Sequence, residues 1–142
     1  MAGSVNLGKL IFCPIEANVF LRRVEMTIER HHVGERMSQV VSHNGTVYTA
    51  GQVAHNAAGG SVADQTKDIL TAIDGLLADA GSDKSKLLTA TIWLNTMDDF
   101  AEMNAVWDDW VVAGATPCRA CVESPRLASP KFTVEIMVTA AS

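Results

Sequence analysis

The sequence predicts an α+β fold with the element order β-β-α-β-α-β-β, in which two amphipathic helices pack on one face of a mixed sheet. Two segments, 62–80 and 98–111, carry apolar residues at helical spacing. Five others are rich in Val, Ile, Thr and aromatic residues and are bounded by turn residues, as strands are; they are 37–43, 46–54, 87–95, 117–124 and 132–138. With 142 residues, of which 48% are hydrophobic, the chain is long enough for one domain with a sizeable core.

The first two predicted strands form a hairpin. Met37–His43 and Thr46–Ala54 flank the dipeptide Asn44-Gly45, which favours a type I′ turn because both residues tolerate positive φ. Gly51 lies inside the second strand. A glycine there indicates a bulge or a place where another group approaches the backbone closely.

Each predicted helix has boundary signals. Ser61 is the predicted N-cap of the first helix and Gly81 its stop, and we interpret the charged side of this helix as a solvated face. Asp98 or Asp99 is the predicted cap of the second helix, which we expect to end at Gly114. The Phe, Met, Val and Trp residues of the second helix form a stripe that we interpret as core rather than as a binding platform.

The last two predicted strands carry the residues with chemical potential. We expect Pro117–Ser124 and Phe132–Val138 to pair as an antiparallel hairpin. Side chains alternate along a strand, so Arg119 and Cys121 point to the same side. In such a hairpin Arg119 lies opposite Glu135 or one register step away.

Arg119 and Glu135 have two interpretations. Charged side chains among Val, Ile and Phe are costly to bury unless they are paired or used. A guanidinium holds a carboxylate through two parallel hydrogen bonds, which a lysine cannot do. The residues alone therefore leave open a cross-strand ion pair at a strand edge or subunit contact, and a place where an arginine binds a carboxylate ligand.

Composition excludes several classes of partner. The net charge is −5, and Arg22-Arg23 is the largest basic cluster, so nucleic acid is not an expected partner. No apolar run approaches the roughly 18 residues of a membrane span, so we expect a soluble protein without a membrane partner. The three cysteines, an odd number in an acidic chain, indicate reduced thiols and a cytoplasmic location.

No metal site is predicted. Cys118 and Cys121 have CxxC spacing, but a strand directs their sulfurs to opposite faces, and no second CxxC or suitable histidine pair completes a site. His31 and His32 are adjacent and diverge in an extended segment. We interpret all four histidines as solvated.

The two ends of the domain also lead to predictions. We interpret residues 1–25 as an N-terminal extension that is disordered or packs as an adjunct, and residues 26–142 as a single domain. The sheet face away from the helices carries apolar residues as well. Since no third helix is predicted, we expect a second subunit to cover that face in a homo-oligomer.

Four segments, taken together, resemble the Rid (YjgF-like) reactive intermediate deaminase family. They are Thr49–Val53, Asp98–Trp107, Pro117–Glu123 and Val134–Ile136. The resemblance runs from about residue 27 to residue 140. It implies a chorismate-mutase-like fold assembled as a homotrimer, with a central barrel of sheets, the helices outside, and ligand sites between subunits. It also implies hydrolysis of 2-imino acids, or their enamine tautomers, to 2-keto acids and ammonia without a metal or organic cofactor.

The resemblance also implies roles for individual residues. Arg119 matches the family arginine that clamps the substrate carboxylate. Glu135 matches the glutamate that positions the attacking water and acts as general acid and base. The backbone around Gly51 and Cys121 matches main chain that contacts the ligand, and Asn104 matches an asparagine near the site.

Two positions depart from active members of the family. Ala50 stands where they have a serine, and Met37 where they have a tyrosine. Loss of both hydroxyls keeps the carboxylate clamp but removes hydrogen bonds from the pocket, which indicates a subgroup with a different substrate. The alternative is a non-catalytic trimer that binds small carboxylates or acts as a chaperone-like partner. Endoribonuclease activity, also attributed to relatives, is a third interpretation that the acidic composition does not favour.

Overall fold

A computed structural model describes residues 27–142, so the interpretation of residues 1–25 as an extension lies outside the described residues. The strands are β1 (Glu29–Val33), β2 (Ser38–His43), β3 (Thr46–Thr49), β4 (Gln52–Val53), β5 (Leu87–Leu94), β6 (Cys118–Glu123) and β7 (Val134–Ala141). The helices are α1 (Val62–Asp79) and α2 (Phe100–Trp110). Within this part of the chain, no helix combines the length and apolarity that crossing a membrane requires.

All seven strands form one mixed sheet in the order β1-β2-β3-β7-β5-β6, with β4 pairing beside β3 on the same edge of β7. β7 is antiparallel to β3, β4 and β5, whereas β5 and β6 are parallel. The two helices contact each other and pack with the sheet around one core. The predicted α+β class is confirmed, with two changes to the element order. β1 precedes the predicted hairpin, and the second predicted strand is divided into β3 and β4 at Ala50 and Gly51.

The predicted hairpin between the last two strands is wrong. β5 lies between β6 and β7 and pairs with both of them; its sequence has no charged residue, which suits a central position with a partner on each side. The connection after β6 crosses the end of β5 instead of turning back. Its ends are held there by hydrogen bonds from the Ser124 N–H to the Leu94 carbonyl at 2.7 Å and from the Asn95 N–H to the Thr133 carbonyl at 3.0 Å.

Several local signals are confirmed. Asn44 and Gly45 have φ of 51° and 75°, as a type I′ turn requires. The Ser61 hydroxyl caps α1 by accepting from the Asp64 N–H at 3.1 Å. The end of α2 differs from the prediction, since the helix stops at Trp110 rather than at Gly114.

The charged side of α1 is not simply solvated. Asp68 accepts hydrogen bonds from the Asn56 backbone N–H at 2.9 Å and from its side-chain amide at 3.0 Å. Asp74 accepts from the indole N–H of Trp110 at 3.0 Å. These aspartates tie the helix to the preceding loop and to α2.

The core lies between the sheet and the helices, on what we call the helix-covered face. Alternate residues of the two central strands point into it and are almost completely buried; they are Ala90, Ile92, Leu94, Val134, Ile136 and Val138. The helices contribute the buried side chains Ile69, Leu70, Ile73, Leu77, Met103 and Trp107.

The opposite side of the sheet, which we call the open face, has no covering element among the described residues. Its apolar side chains are correspondingly exposed: Tyr48 at 48%, Val122 at 46% and Met137 at 36%. Monomeric proteins rarely expose large contiguous apolar patches. The expectation that a second subunit covers this face therefore stays a prediction with a physical basis.

Candidate active site

The structure places the predicted site residues in two groups. The Arg119 group consists of Asn104, Arg119 and Cys121, on the helix-covered face beside α2 and β6. The Glu135 group consists of Ala50, Gly51 and Glu135, around β4 and β7. Met37 lies at the turn between β1 and β2, where its carbonyl accepts from the Gly34 N–H at 2.9 Å.

Arg119 is the second residue of β6, an edge strand, and its side chain is exposed. Its Nη1 donates to the Asn104 Oδ1 at 2.8 Å. Its Cζ lies 5.3 Å from the centroid of the Trp107 ring. Asn104 and Trp107 can both reach the guanidinium because residues three apart share one face of a helix. Within residues 27–142 the other Arg119 N–H groups have no acceptor, so they are available to an anionic ligand.

Cys121 lies two residues beyond Arg119 and on the same side of the strand, level with the buried Ile92. Burial raises the pKa of the Cys121 thiol, and the nearby Arg119 cation only partly opposes this. The thiol therefore stays protonated near neutral pH and is a poor nucleophile. Cys118 is level with Thr89 on the open face, so the prediction that the two sulfurs point to opposite sides is confirmed.

Glu135 is partly buried in β7, between Val53 of β4 and Trp93 of β5. Its carboxylate lies directly over the Gly51 backbone, since a Cβ at Gly51 would overlap Oε1 of Glu135. The predicted close approach at this glycine is confirmed. Gly51 thus keeps open the space that the carboxylate occupies.

Ala50 and Met37 lie beside two glutamines that the sequence analysis did not single out. The Ala50 N–H donates to the Gln39 carbonyl at 2.8 Å. The Gln52 amide donates to the Gln39 Oε1 at 2.8 Å and to the Ala50 carbonyl at 3.1 Å. Met37, two residues before Gln39, is 50% exposed. Polar groups of this region therefore come from amides rather than from hydroxyls at positions 37 and 50.

The two groups cannot meet within one copy of the chain. Glu135 pairs with Trp93 of β5, and Trp93 pairs in turn with Val122 of β6. Arg119 lies three residues before Val122 on β6. Arg119 and Glu135 are therefore two strands apart across the sheet and three residues apart along it, which separates their Cα atoms by about 14 Å. Because side chains alternate along a strand, this offset of three residues also places the Arg119 and Glu135 side chains on opposite faces of the sheet. The expectation that Arg119 lies opposite Glu135, or one step away, is therefore wrong.

Residues 27–142 match the sequence profile of the family described as Endoribonuclease L-PSP. The chain belongs to this family, which is also known as the YjgF/RutC or Rid family. Two similar relatives are a RutC family protein of Haemophilus influenzae and the RutC family protein YoaB of Escherichia coli. The first is 45% identical over 115 residues, covering 81% of this chain and 98% of the relative. YoaB is 46% identical over 116 residues, covering 82% of this chain and 99% of YoaB.

Solved structures of the YjgF family show the same fold. A YjgF-family protein from Neisseria meningitidis has a TM-score of 0.79 and 48% identity, and the match covers 82% of this chain and 96% of that protein. The YjgF-like fold expected from the resemblance is thereby confirmed.

Proposed function

We propose that this protein hydrolyses 2-imino acids, or their enamine tautomers, to 2-keto acids and ammonia. Membership of the YjgF/RutC family supports a Rid-type role in general. The observation that carries the specific proposal is the state of Arg119, whose guanidinium is held on one side by Asn104 and Trp107 while its other donors have no acceptor within residues 27–142. Such a fork matches the carboxylate of a small 2-imino acid.

Glu135 supplies the second requirement of the reaction. Its partly buried carboxylate, lying over Gly51, can accept a proton from a water molecule that attacks the C=N carbon. Oxygen bonds to that carbon as the C=N π bond opens, and the carboxylate passes the water proton on to nitrogen, which gives a neutral carbinolamine. The carboxylate then takes the proton of the carbinolamine hydroxyl and delivers it to nitrogen, so that the C–N bond breaks, ammonia leaves and the C=O bond of the keto acid forms. The net reaction adds one water and needs no oxidant or reductant.

The site is assembled from two copies of the chain in this proposal. Arg119 and Glu135 lie on opposite faces and about 14 Å apart within one copy, so a substrate of a few atoms cannot span them. A homotrimer with its open faces inward offers the free edge of β6 in one subunit to the Glu135 group of the next. In this arrangement, assembly of the trimer both covers the open face and completes the site.

One observation favours a second candidate, a trimer that binds small carboxylates without turning them over. Ala50 and Met37 provide no hydroxyl, and the side-chain amides that form hydrogen bonds beside Ala50 are those of Gln39 and Gln52. Carboxylate binding needs Arg119 alone. Glu135 held beside Gly51 is what distinguishes the catalytic proposal from this candidate.

The test measures loss of 2-iminobutanoate generated in situ by an amino acid oxidase. We expect the wild type to accelerate imine loss, and Arg119→Ala and Glu135→Gln to abolish the acceleration. Lys86→Ala, which removes an exposed cation outside both groups, serves as the control and should retain full activity.

Each outcome separates the candidates. A folded, oligomeric wild type that binds 2-oxobutanoate through Arg119 without accelerating imine loss would establish the binding protein instead. Light scattering that shows a monomer at micromolar concentration would reject the shared site.

A further inference from the structure

We propose that Trp107 is a positioning residue that holds the Arg119 guanidinium in the orientation that receives a substrate carboxylate. This inference rests on the proposed function, because it concerns how the same site binds its ligand. Arg119 is on an edge strand with an exposed side chain. A long arginine in that setting ordinarily samples many rotamers and loses this freedom when a ligand binds.

Two groups restrict Arg119, and they act in different directions. Asn104 fixes one end of the fork through a hydrogen bond to Nη1. Trp107 lies against the guanidinium, with its ring centroid 5.3 Å from Cζ. A single hydrogen bond allows rotation about its own axis, whereas a ring packed against the planar cation restricts that rotation. Together they restrict the guanidinium, whose remaining donors have no acceptor within residues 27–142.

Trp107 is itself rigidly held. Its side chain is only 4% exposed, and its ring packs on Trp110 with the centroids 5.4 Å apart and the planes at 55°. The Trp110 indole N–H donates to Asp74 of α1 at 3.0 Å, and the Lys84 ammonium lies 5.5 Å from the Trp110 centroid. A series of cation–ring and ring–ring contacts therefore runs from the α1–α2 contact to the site. Through these contacts the packed helix pair restricts the movement of an exposed arginine.

An aromatic face is required for this role, beyond filling core volume. A cation is attracted to the electron-rich face of a ring, and an aliphatic side chain of similar size offers no such attraction. Loss of the ring should lower the fraction of Arg119 in the competent orientation, and the apparent affinity should fall by the same factor. For one such contact we expect a loss of about three- to tenfold.

The experiment compares Trp107→Phe with Trp107→Met, which both shrink the side chain but differ in keeping a ring. The Phe variant should retain most of the affinity for 2-oxobutanoate, measured by calorimetry, and the Met variant should lose about three- to tenfold. In imine hydrolysis the Met variant should raise KM and change kcat little, because a carboxylate contact is made in both the ground state and the transition state. Ile73→Val, at a fully buried position of α1, controls for general destabilisation of the helix layer.

A measurement on the wild type keeps the test independent of folding and activity. NMR should show the Arg119 δ protons shifted upfield by the Trp107 ring current, with loss of that shift in Trp107→Met. Arg119 protons at ordinary positions in the wild type would overturn the inference. Equal affinities of the wild type and a folded Met variant would also overturn it. A wild type that neither binds 2-oxobutanoate nor hydrolyses imines would instead reject the proposed function while leaving the ring-current result intact.

Discussion

Two inactive variants of this protein should complement each other when their subunits are mixed. Arg119→Ala removes the proposed carboxylate clamp but keeps Glu135, and Glu135→Gln removes the proposed base but keeps Arg119. Within one copy these residues are separated by β5 and point to opposite faces of the sheet. In the proposed trimer a working site would therefore take its arginine from one subunit and its glutamate from the next.

The extent of recovery follows from this arrangement. In trimers assembled at random from equal amounts of the two variants, a site is intact when the arginine comes from a Glu135→Gln subunit and the glutamate from an Arg119→Ala subunit. Each condition is met half of the time. The unselected mixture should thus hold about a quarter of the wild-type number of sites per subunit, and trimers that contain both variants should hold one intact site of three, or about a third. A site contained within one chain would give no recovery at all.

The assay is imine hydrolysis by trimers that are co-expressed with two different tags and purified through both. Selection through two tags removes the pure oligomers, and native mass spectrometry counts the subunits of each kind. Each variant purified alone is the background, and doubly tagged wild type sets the full rate. Verified mixed trimers with no activity above the single variants would refute the two-copy site.

Three further predictions concern single residues. Gly51→Ala should abolish imine hydrolysis with little change in thermal unfolding, because the new methyl group takes the place of the Glu135 carboxylate; retained activity would contradict this geometry. Ser61→Ala should lower the free energy of unfolding by about 1 kcal/mol through loss of the α1 cap, and an unchanged urea midpoint would argue against it. The hydrogen bonds from Asn56 lower the pKa of Asp68 below its unfolded value of 3.8, so its stabilisation is complete above the unfolded pKa and is lost as the pH falls through the folded pKa. Between about pH 6 and pH 3 the wild type should therefore lose more stability in urea titrations than Asp68→Asn, and equal losses would contradict the assignment.

Local features of the fold were predictable because a few neighbouring residues decide them. Asn44-Gly45 specified its turn, and Ser61 capped its helix without reference to the rest of the chain. Strand order is different, since it depends on which distant segments share hydrogen bonds. Nothing next to β6 reveals that β5, and not β7, is its partner.

In the candidate site, too, some features were predictable from neighbouring residues and others were not. Alternation correctly placed Arg119 and Cys121 on one side of their strand, and the glycine signal correctly indicated a close approach at Gly51. The role of Trp107 was hidden, because an aromatic residue at helical spacing is ordinarily core, and Trp107 is buried. Only the register of β6 brings Arg119 over its ring.

The position of β7 bears on how the chain folds during its synthesis. This strand is the last of the sheet to leave the ribosome, yet it lies at the centre and links β3 and β4 to β5. Until Ala141 has emerged, β3 and β5 each present an unpaired edge, and the helices have only part of their core to cover. The sheet therefore closes in a late step that joins segments distant in sequence, which is the slow kind of step. During that interval the nascent chain has the exposed strand edges that chaperones protect from aggregation.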